Sequence, residues 1–106
     1  MTTTPLIVLC TCPDSAAADA IATALLEARL AACVNRIGGV ESLYRWEGKI
    51  QKDQEVLLLI KTTAVAFSEV ESAISDLHPY ELPEIIGVPV TQGSAPYLDW
   101  LTKSIR

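Results

Sequence analysis

The sequence has no hydrophobic run long enough to cross a bilayer. Its longest aliphatic stretches, residues 6–9 and 56–60, fall far short of the roughly 20 residues that a membrane-spanning helix needs. The opening residues, MTTTP, contain no lysine or arginine, whereas a secretory signal peptide begins with a cationic segment. We therefore expect a cytoplasmic protein that does not insert into membranes.

Basic residues are also few. Eight lysines and arginines, spread along the chain, stand against thirteen aspartates and glutamates, and the formal net charge is -5. Proteins that bind the phosphate backbone of nucleic acids need a concentrated cationic face. Nucleic acid is therefore not an expected partner.

The motifs of several common enzyme classes are missing. The sequence contains no GxGxxG, no P-loop, no HExxH and no GxSxG, which are signatures of dinucleotide binding, phosphate binding, zinc proteases and serine hydrolases. With a single histidine, no nucleophile–base pair stands out along the sequence, although a pair formed only in the fold stays open. These absences predict that the chain is not an enzyme.

Cysteine is scarce and odd in number. Three cysteines in a chain without an evident export signal predict reduced thiols of a cytosolic protein and not a disulfide framework.

Apolar residues, in contrast, are abundant. They make up 50% of the 106 residues, and the mean hydropathy is +0.32. A chain of this length folds as one domain, here expected over residues 1–106, and hides only roughly two-thirds of its unfolded surface. The surplus of apolar surface predicts association between subunits.

The hydrophobic pattern predicts an alternation of strands and helices. An apolar run after Pro5 indicates a strand, and the alanine-rich segment that follows has Asp14 or Ser15 as its N-cap. Two long strand-like runs come next, followed by a second helix with Thr63 as its expected cap and Pro79 as its stop. A strand and a short final helix complete the chain.

This order predicts an α+β fold, a ferredoxin-like βαββαβ sandwich with an extra C-terminal helix. The two long strands form an extended hairpin that reverses at Glu47 and Gly48. Both main helices lie on one face of the antiparallel sheet. The opposite face needs a cover, for which another copy of the chain is the simplest candidate.

Cys10, Cys12 and His78 are the candidate metal ligands. Because Cys10 and Cys12 are two apart in a strand, their side chains face the same way. Thiolate and imidazole suit soft ions such as copper and zinc. The alternative is that the cysteines are small core residues and that His78 ends a helix by bonding a free carbonyl. Glu81 and Glu84 are either carboxylate partners of His78 or solvated loop residues.

Four stretches, "ACVN", "SLYRWEGKI", "EVLLLIKTT" and "HPYELPEIIGVPV", together resemble the CutA family of divalent-cation tolerance proteins. The resemblance runs from "IVLCTCPD" to "YLDWL". It implies a fold similar to that of PII signalling proteins, assembled as a homotrimer whose long hairpin reaches neighbouring subunits.

The resemblance also implies metal ligands. Metal sites in the family have been proposed on a cysteine that matches Cys10 and on a histidine pair whose second member matches His78, while Leu77 takes the place of the first. The implied function is that of a non-enzymatic cytosolic homotrimer that binds divalent or soft metal ions, such as copper or zinc. It would contribute to divalent-cation tolerance as part of the response to metal ions. The alternatives are a PII-like signalling trimer that binds a small anion in inter-subunit clefts through Lys61 and Arg45, and a structural scaffold.

Overall fold

The computed structural model describes residues 3–106 and has the predicted order of elements. Its strands and helices are β1 (Pro5–Cys12), α1 (Ser15–Glu27), β2 (Cys33–Trp46), β3 (Lys49–Thr63), α2 (Phe67–Leu77), β4 (Ile86–Pro89) and α3 (Ala95–Ser104). This confirms the α+β ferredoxin-like βαββαβ fold with a long β2–β3 hairpin and a C-terminal helix. Among residues 3–106, no helix is both long and apolar enough to cross a membrane.

The sheet has the strand order β2-β3-β1-β4, and every neighbouring pair is antiparallel. Strand β1 is central, with Cys10 opposite Leu58 of β3 and Leu6 opposite Pro89 of β4. Strand β4 lies at the edge of the sheet. An edge position tolerates Pro89, because a proline has no N–H to donate to a second neighbouring strand.

The core lies between the sheet and helices α1 and α2. Along β1, buried and partly exposed residues alternate strictly, and the buried set is Leu6, Val8, Cys10 and Cys12. Val8, Cys10 and Cys12 pack in one cluster with side chains of the two helices, among them Ile21 and Leu25 of α1 and Val70 and Ile74 of α2. The cysteines near the end of β1 therefore face the helix layer, and this places both thiols in the interior.

The two helix starts differ in how well the sequence predicted them. The Asp14 carboxylate accepts a hydrogen bond from the Ala17 amide at 2.8 Å and caps α1 as expected. The expected cap at Thr63 is wrong. Strand β3 continues through Thr63 because Pro5 of β1 pairs with it, and α2 begins only at Phe67 after a short turn. The Thr63 hydroxyl accepts from the Ala66 amide within that turn.

The hairpin reverses where the sequence predicted. Glu47 and Gly48 both adopt left-handed backbone conformations, with φ of 52° and 78°, as the tightest hairpin turns require. A β-bulge interrupts the pairing of β2 with β3 between Ile37 and Val40, and Gly39 within it has a φ of 74°.

The second face of the sheet is only partly covered within the chain. On this face, Ile7 of β1 lies opposite Val88 of β4, and Leu9 of β1 lies opposite Ile86 of β4. Ile86 and Val88 remain 52% and 44% exposed, and Ile37 of β2 is 44% exposed. A contiguous apolar face of this kind is typical of a protein–protein contact.

A buried hydroxyl ties β3 to the segment after α1. Thr62 is 0% exposed, and its hydroxyl donates to the Leu30 carbonyl at 2.6 Å. Thr62→Val keeps the shape of the side chain and leaves this buried carbonyl without its donor. We expect the free energy of unfolding to fall by about 1–3 kcal/mol, measured by urea denaturation at a fixed protein concentration. The same change at exposed Thr91 is the control, and an equal effect there would contradict the prediction.

Candidate metal centre

Cys10, Cys12 and His78 meet where the end of β1 lies beside the end of α2. Both cysteines are 0% exposed, and His78, the C-cap of α2, is 8% exposed. One ligand atom from each residue lies within 4.8 Å of the other two. Within residues 3–106 this is the only such group of three histidine, cysteine or carboxylate side chains. The fold thus brings together Cys10 and His78, the two ligands that the family resemblance implies, with Cys12, the third candidate from the sequence.

The spacing of these donors suits a single ion after a small contraction. Zinc–sulfur and zinc–nitrogen bonds of about 2.3 and 2.0 Å place neighbouring donors roughly 3.5–4 Å apart. From separations of at most 4.8 Å, the three atoms therefore need to approach one another by no more than roughly 0.8–1.3 Å. Two thiolates and an imidazole are the donors that soft ions such as Cu(I) and Zn(II) prefer.

Both nitrogens of the His78 ring already make hydrogen bonds. Nε2 lies 2.8 Å from the Thr11 carbonyl oxygen, and the Tyr80 amide donates to Nδ1 at 3.1 Å. Because a carbonyl only accepts and an amide N–H only donates, the ring is neutral with its proton on Nε2. A metal ion that takes a nitrogen lone pair must replace one of these two bonds.

The position of the His78 ring differs in one respect from the sequence-based alternative. Its side chain bonds a carbonyl of β1 and not one of the free carbonyls at the end of α2. Thr11 is 67 residues away in sequence, so no local pattern could have identified it.

The two buried thiols influence each other. The interaction between the two side chains raises the pKa of Cys10 and lowers the pKa of Cys12. Burial and the nearby carboxylates of Glu55 and Glu84 raise the pKa of Cys10 further. A metal ion bound by both cysteines would have to displace the thiol proton of Cys10.

The third cysteine, Cys33, and the candidate anion-binding residue Lys61 lie outside this cluster. Cys33 is partly exposed, and its sulfur lies 3.9 Å from the Lys61 ammonium. Lys61 also donates to the Asn35 side chain, and within residues 3–106 it forms no ion pair with Glu55 or Glu84.

Glu81 and Glu84, the two carboxylate candidates, also stay outside the cluster, as does Leu77, which takes the place of the family's other histidine. Leu77 is 46% exposed. Glu81 is exposed and lines a groove formed with the hairpin, as Glu84 does.

Tyr80 and Glu55 form a contact beside the centre that sequence reasoning missed. The Tyr80 hydroxyl donates to Glu55 Oε2 at 2.8 Å, and Glu55 is only 7% exposed. Burial and the acceptor carboxylate raise the pKa of Tyr80. The Tyr80 and His78 rings also stack at a tilt, with their centroids 4.8 Å apart. Residues 78–80 are thereby attached to both β1 and β3.

Tyr80→Phe removes the donor to this buried carboxylate. We expect it to lower the free energy of unfolding by about 1–3 kcal/mol, because hydrogen bonds to charged groups are stronger than neutral ones. Tyr97→Phe is the matched control, since Tyr97 is 42% exposed. Guanidinium unfolding of the two variants at equal protein concentration compares them, and the prediction fails if both curves overlay the wild-type curve.

Comparison with known proteins identifies the family of this chain. The chain matches the family model described as "CutA1 divalent ion tolerance protein" over residues 6–104. It is 49% identical over 98 residues to the "Divalent-cation tolerance protein CutA" of Thermus thermophilus, covering 92% of this chain and 95% of that protein.

Solved structures give the same result. The divalent cation tolerance protein from Thermus thermophilus superposes with a TM-score of 0.94 at 47% identity, covering 96% of this chain and 99% of that one. The "Periplasmic divalent cation tolerance protein CutA" of Archaeoglobus fulgidus gives 0.93 at 34% identity, with 96% and 99% covered. The family is not known to carry catalytic activity, in agreement with the prediction that the chain is not an enzyme. The chain therefore belongs to the CutA1 divalent ion tolerance protein family.

Proposed function

We propose that this chain contributes to divalent-cation tolerance by binding one soft metal ion, Cu(I) or Zn(II), at Cys10, Cys12 and His78. The observation that carries the proposal is the convergence of three soft donors within 4.8 Å in the protein interior. Membership of a family named for divalent ion tolerance supports it.

Each residue has a distinct task in this proposal. Cys10 and Cys12 supply thiolates, and His78 supplies a neutral imidazole. The Thr11 carbonyl lies 2.8 Å from Nε2, so it can hold the ring while Nδ1 exchanges its hydrogen bond from the Tyr80 amide for the ion. Backbone carbonyls commonly orient histidine ligands in this way. Burial of all three residues excludes competing ligands from the solvent.

The proposal extends to assembly and location. A homotrimer would cover the exposed apolar side chains of the second sheet face, which include Ile37, Ile86 and Val88. The three cysteines are all free, which suits the reducing cytoplasm. Sedimentation equilibrium tests the assembly, and a mass of one chain at micromolar concentration would contradict it.

A competition titration of the reduced protein tests metal binding. Cu(I), Zn(II) and Mg(II) are added in turn in the presence of a chromophoric chelator of known affinity. We expect one Cu(I) or Zn(II) per chain and no competition from Mg(II), because magnesium prefers oxygen donors. A scaffold without a metal site would leave every chelator curve unchanged, and that result would refute the proposal.

A further inference from the structure

Tyr80 contacts the metal centre and its surroundings in three ways. Its amide donates to Nδ1 of His78 at 3.1 Å, its ring stacks on the imidazole with the centroids 4.8 Å apart, and its hydroxyl donates to Glu55 at 2.8 Å. We propose that the hydrogen bond from Tyr80 to Glu55 is a latch, which holds the Tyr80 amide on Nδ1 and thereby lowers the affinity of the centre for its ion. This inference rests on the proposed function, in which Nδ1 binds the ion.

The competition between the amide and the ion follows from the chemistry of the ring. Nε2 carries the proton and lies 2.8 Å from the Thr11 carbonyl oxygen, so Nδ1 has the only free lone pair of a neutral imidazole. Nδ1 can accept the Tyr80 amide or bind an ion, but it cannot do both. Because the Thr11 bond fixes the ring through Nε2, the amide has to withdraw when Nδ1 binds an ion. The peptide unit then moves, and the Tyr80 side chain is pulled with it.

The Tyr80 side chain resists this movement. Its hydroxyl donates to the carboxylate of Glu55, which is only 7% exposed, and hydrogen bonds to charged acceptors are stronger than neutral ones. Glu55 lies in β3, where it pairs with Val40 of β2, so the acceptor belongs to the sheet. The whole latch lies within one chain. It therefore does not depend on whether the neighbouring groove is open or covered by another subunit.

The direction of the effect follows from linkage. A contact that exists only in the arrangement that does not bind the ion competes with binding, because the apparent affinity falls with the fraction of molecules that are competent to bind. Loss of such a contact weakens the metal-free fold and strengthens metal binding at the same time. A contact that merely supports a ligand behaves differently, since its loss lowers the stability of the fold and the metal affinity together.

Tyr80→Phe tests the latch, because it removes the hydroxyl and keeps both the ring and the amide. Competition with a chromophoric chelator measures the affinity of the reduced protein for Zn(II) and Cu(I), and urea denaturation measures the stability of the metal-free protein. We expect the affinity to rise about 10-fold, the equivalent of one hydrogen bond to a charged group, while the stability falls. Tyr97→Phe is the control, since Tyr97 is 42% exposed, and it should change neither quantity.

A double-mutant cycle separates the contact from the charge of Glu55. Glu55→Gln keeps the shape of the side chain but removes a negative charge, and this alone reduces the attraction for a cation. In the Glu55→Gln background the acceptor is neutral, so Tyr80→Phe should raise the affinity by a smaller factor than it does in the wild type. An equal factor in both backgrounds would mean that the hydroxyl does not act through Glu55, and the latch would be refuted.

The single histidine of the chain allows an independent check. Nitrogen-15 NMR of the His78 ring, recorded before and after addition of one equivalent of Zn(II), identifies the nitrogen that binds the ion. We expect the Nδ1 resonance to shift to its metal-bound position while Nε2 stays protonated. Binding through Nε2 would overturn the latch, because the Tyr80 amide could then stay in place.

The outcomes distinguish this inference from the function on which it rests. If Tyr80→Phe binds the metal as tightly as the wild type or more weakly, metal binding stands and the latch is wrong. If neither protein binds Zn(II) or Cu(I), the metal site is wrong and the latch is wrong with it. Circular dichroism of each variant shows that the fold is retained in the comparison.

Discussion

Replacing Cys10 with alanine is expected to lower the affinity of the reduced protein for Cu(I) by about 100-fold or more. Loss of a group that merely orients a metal ligand costs roughly 10- to 100-fold in affinity, so loss of a ligand itself should cost at least as much. Cys10 is in the interior, 0% exposed, and belongs to the donor cluster. The affinity is measured by competition with a chromophoric Cu(I) chelator.

The chain provides its own control for this experiment. Cys33 is a free thiol that is more exposed than Cys10 and lies outside the cluster. Cys33→Ala should therefore leave the Cu(I) affinity unchanged. If Cys33→Ala lowers the affinity as much as Cys10→Ala does, copper binds wherever a thiol is available and the centre has no special role. Circular dichroism of each variant separates loss of a ligand from loss of the fold.

Replacing Leu58 with alanine is expected to lower the free energy of unfolding by about 2–5 kcal/mol. Leu58 is 0% exposed in the middle of β3, where it pairs with Cys10 and packs within the main core cluster. The change removes buried methyl groups and leaves a cavity that rigid neighbouring strands fill poorly. Urea denaturation at a fixed protein concentration measures the effect.

Leu26 gives the matched control for the core. It lies on α1 and is 42% exposed, so Leu26→Ala deletes the same atoms from a half-solvated position. We expect it to cost less than about 1 kcal/mol. If both variants lose the same free energy of unfolding, the burial of a leucine in this fold does not determine its contribution to stability.

The fold was predictable because its signals are local. Alternating burial along β1 and the long hairpin follow from patterns in short windows, and Asp14 caps α1 as expected. The prediction failed at Thr63, whose local cap preference lost to strand pairing with Pro5. That pairing joins residues far apart in sequence, and only the assembled sheet determines it.

The candidate centre was only partly predictable for the same reason. The two-residue spacing of Cys10 and Cys12 indicated a shared face, and both thiols are indeed buried on it. The meeting of His78 with them depends on how α2 ends beside β1, a tertiary contact. The groove depends on Glu55, Tyr80 and the hairpin coming together, and it had no signal in any one segment.

X-ray absorption at the zinc edge, on reduced protein loaded with one equivalent of Zn(II), tests the proposed metal centre most directly. The account predicts two sulfur neighbours at about 2.3 Å and one histidine nitrogen at about 2.0 Å. It also predicts that Cys10→Ala removes one sulfur from the shell and that Cys33→Ala leaves the shell unchanged. A shell of oxygen atoms, or a sulfur count that follows Cys33, would contradict metal binding at Cys10, Cys12 and His78.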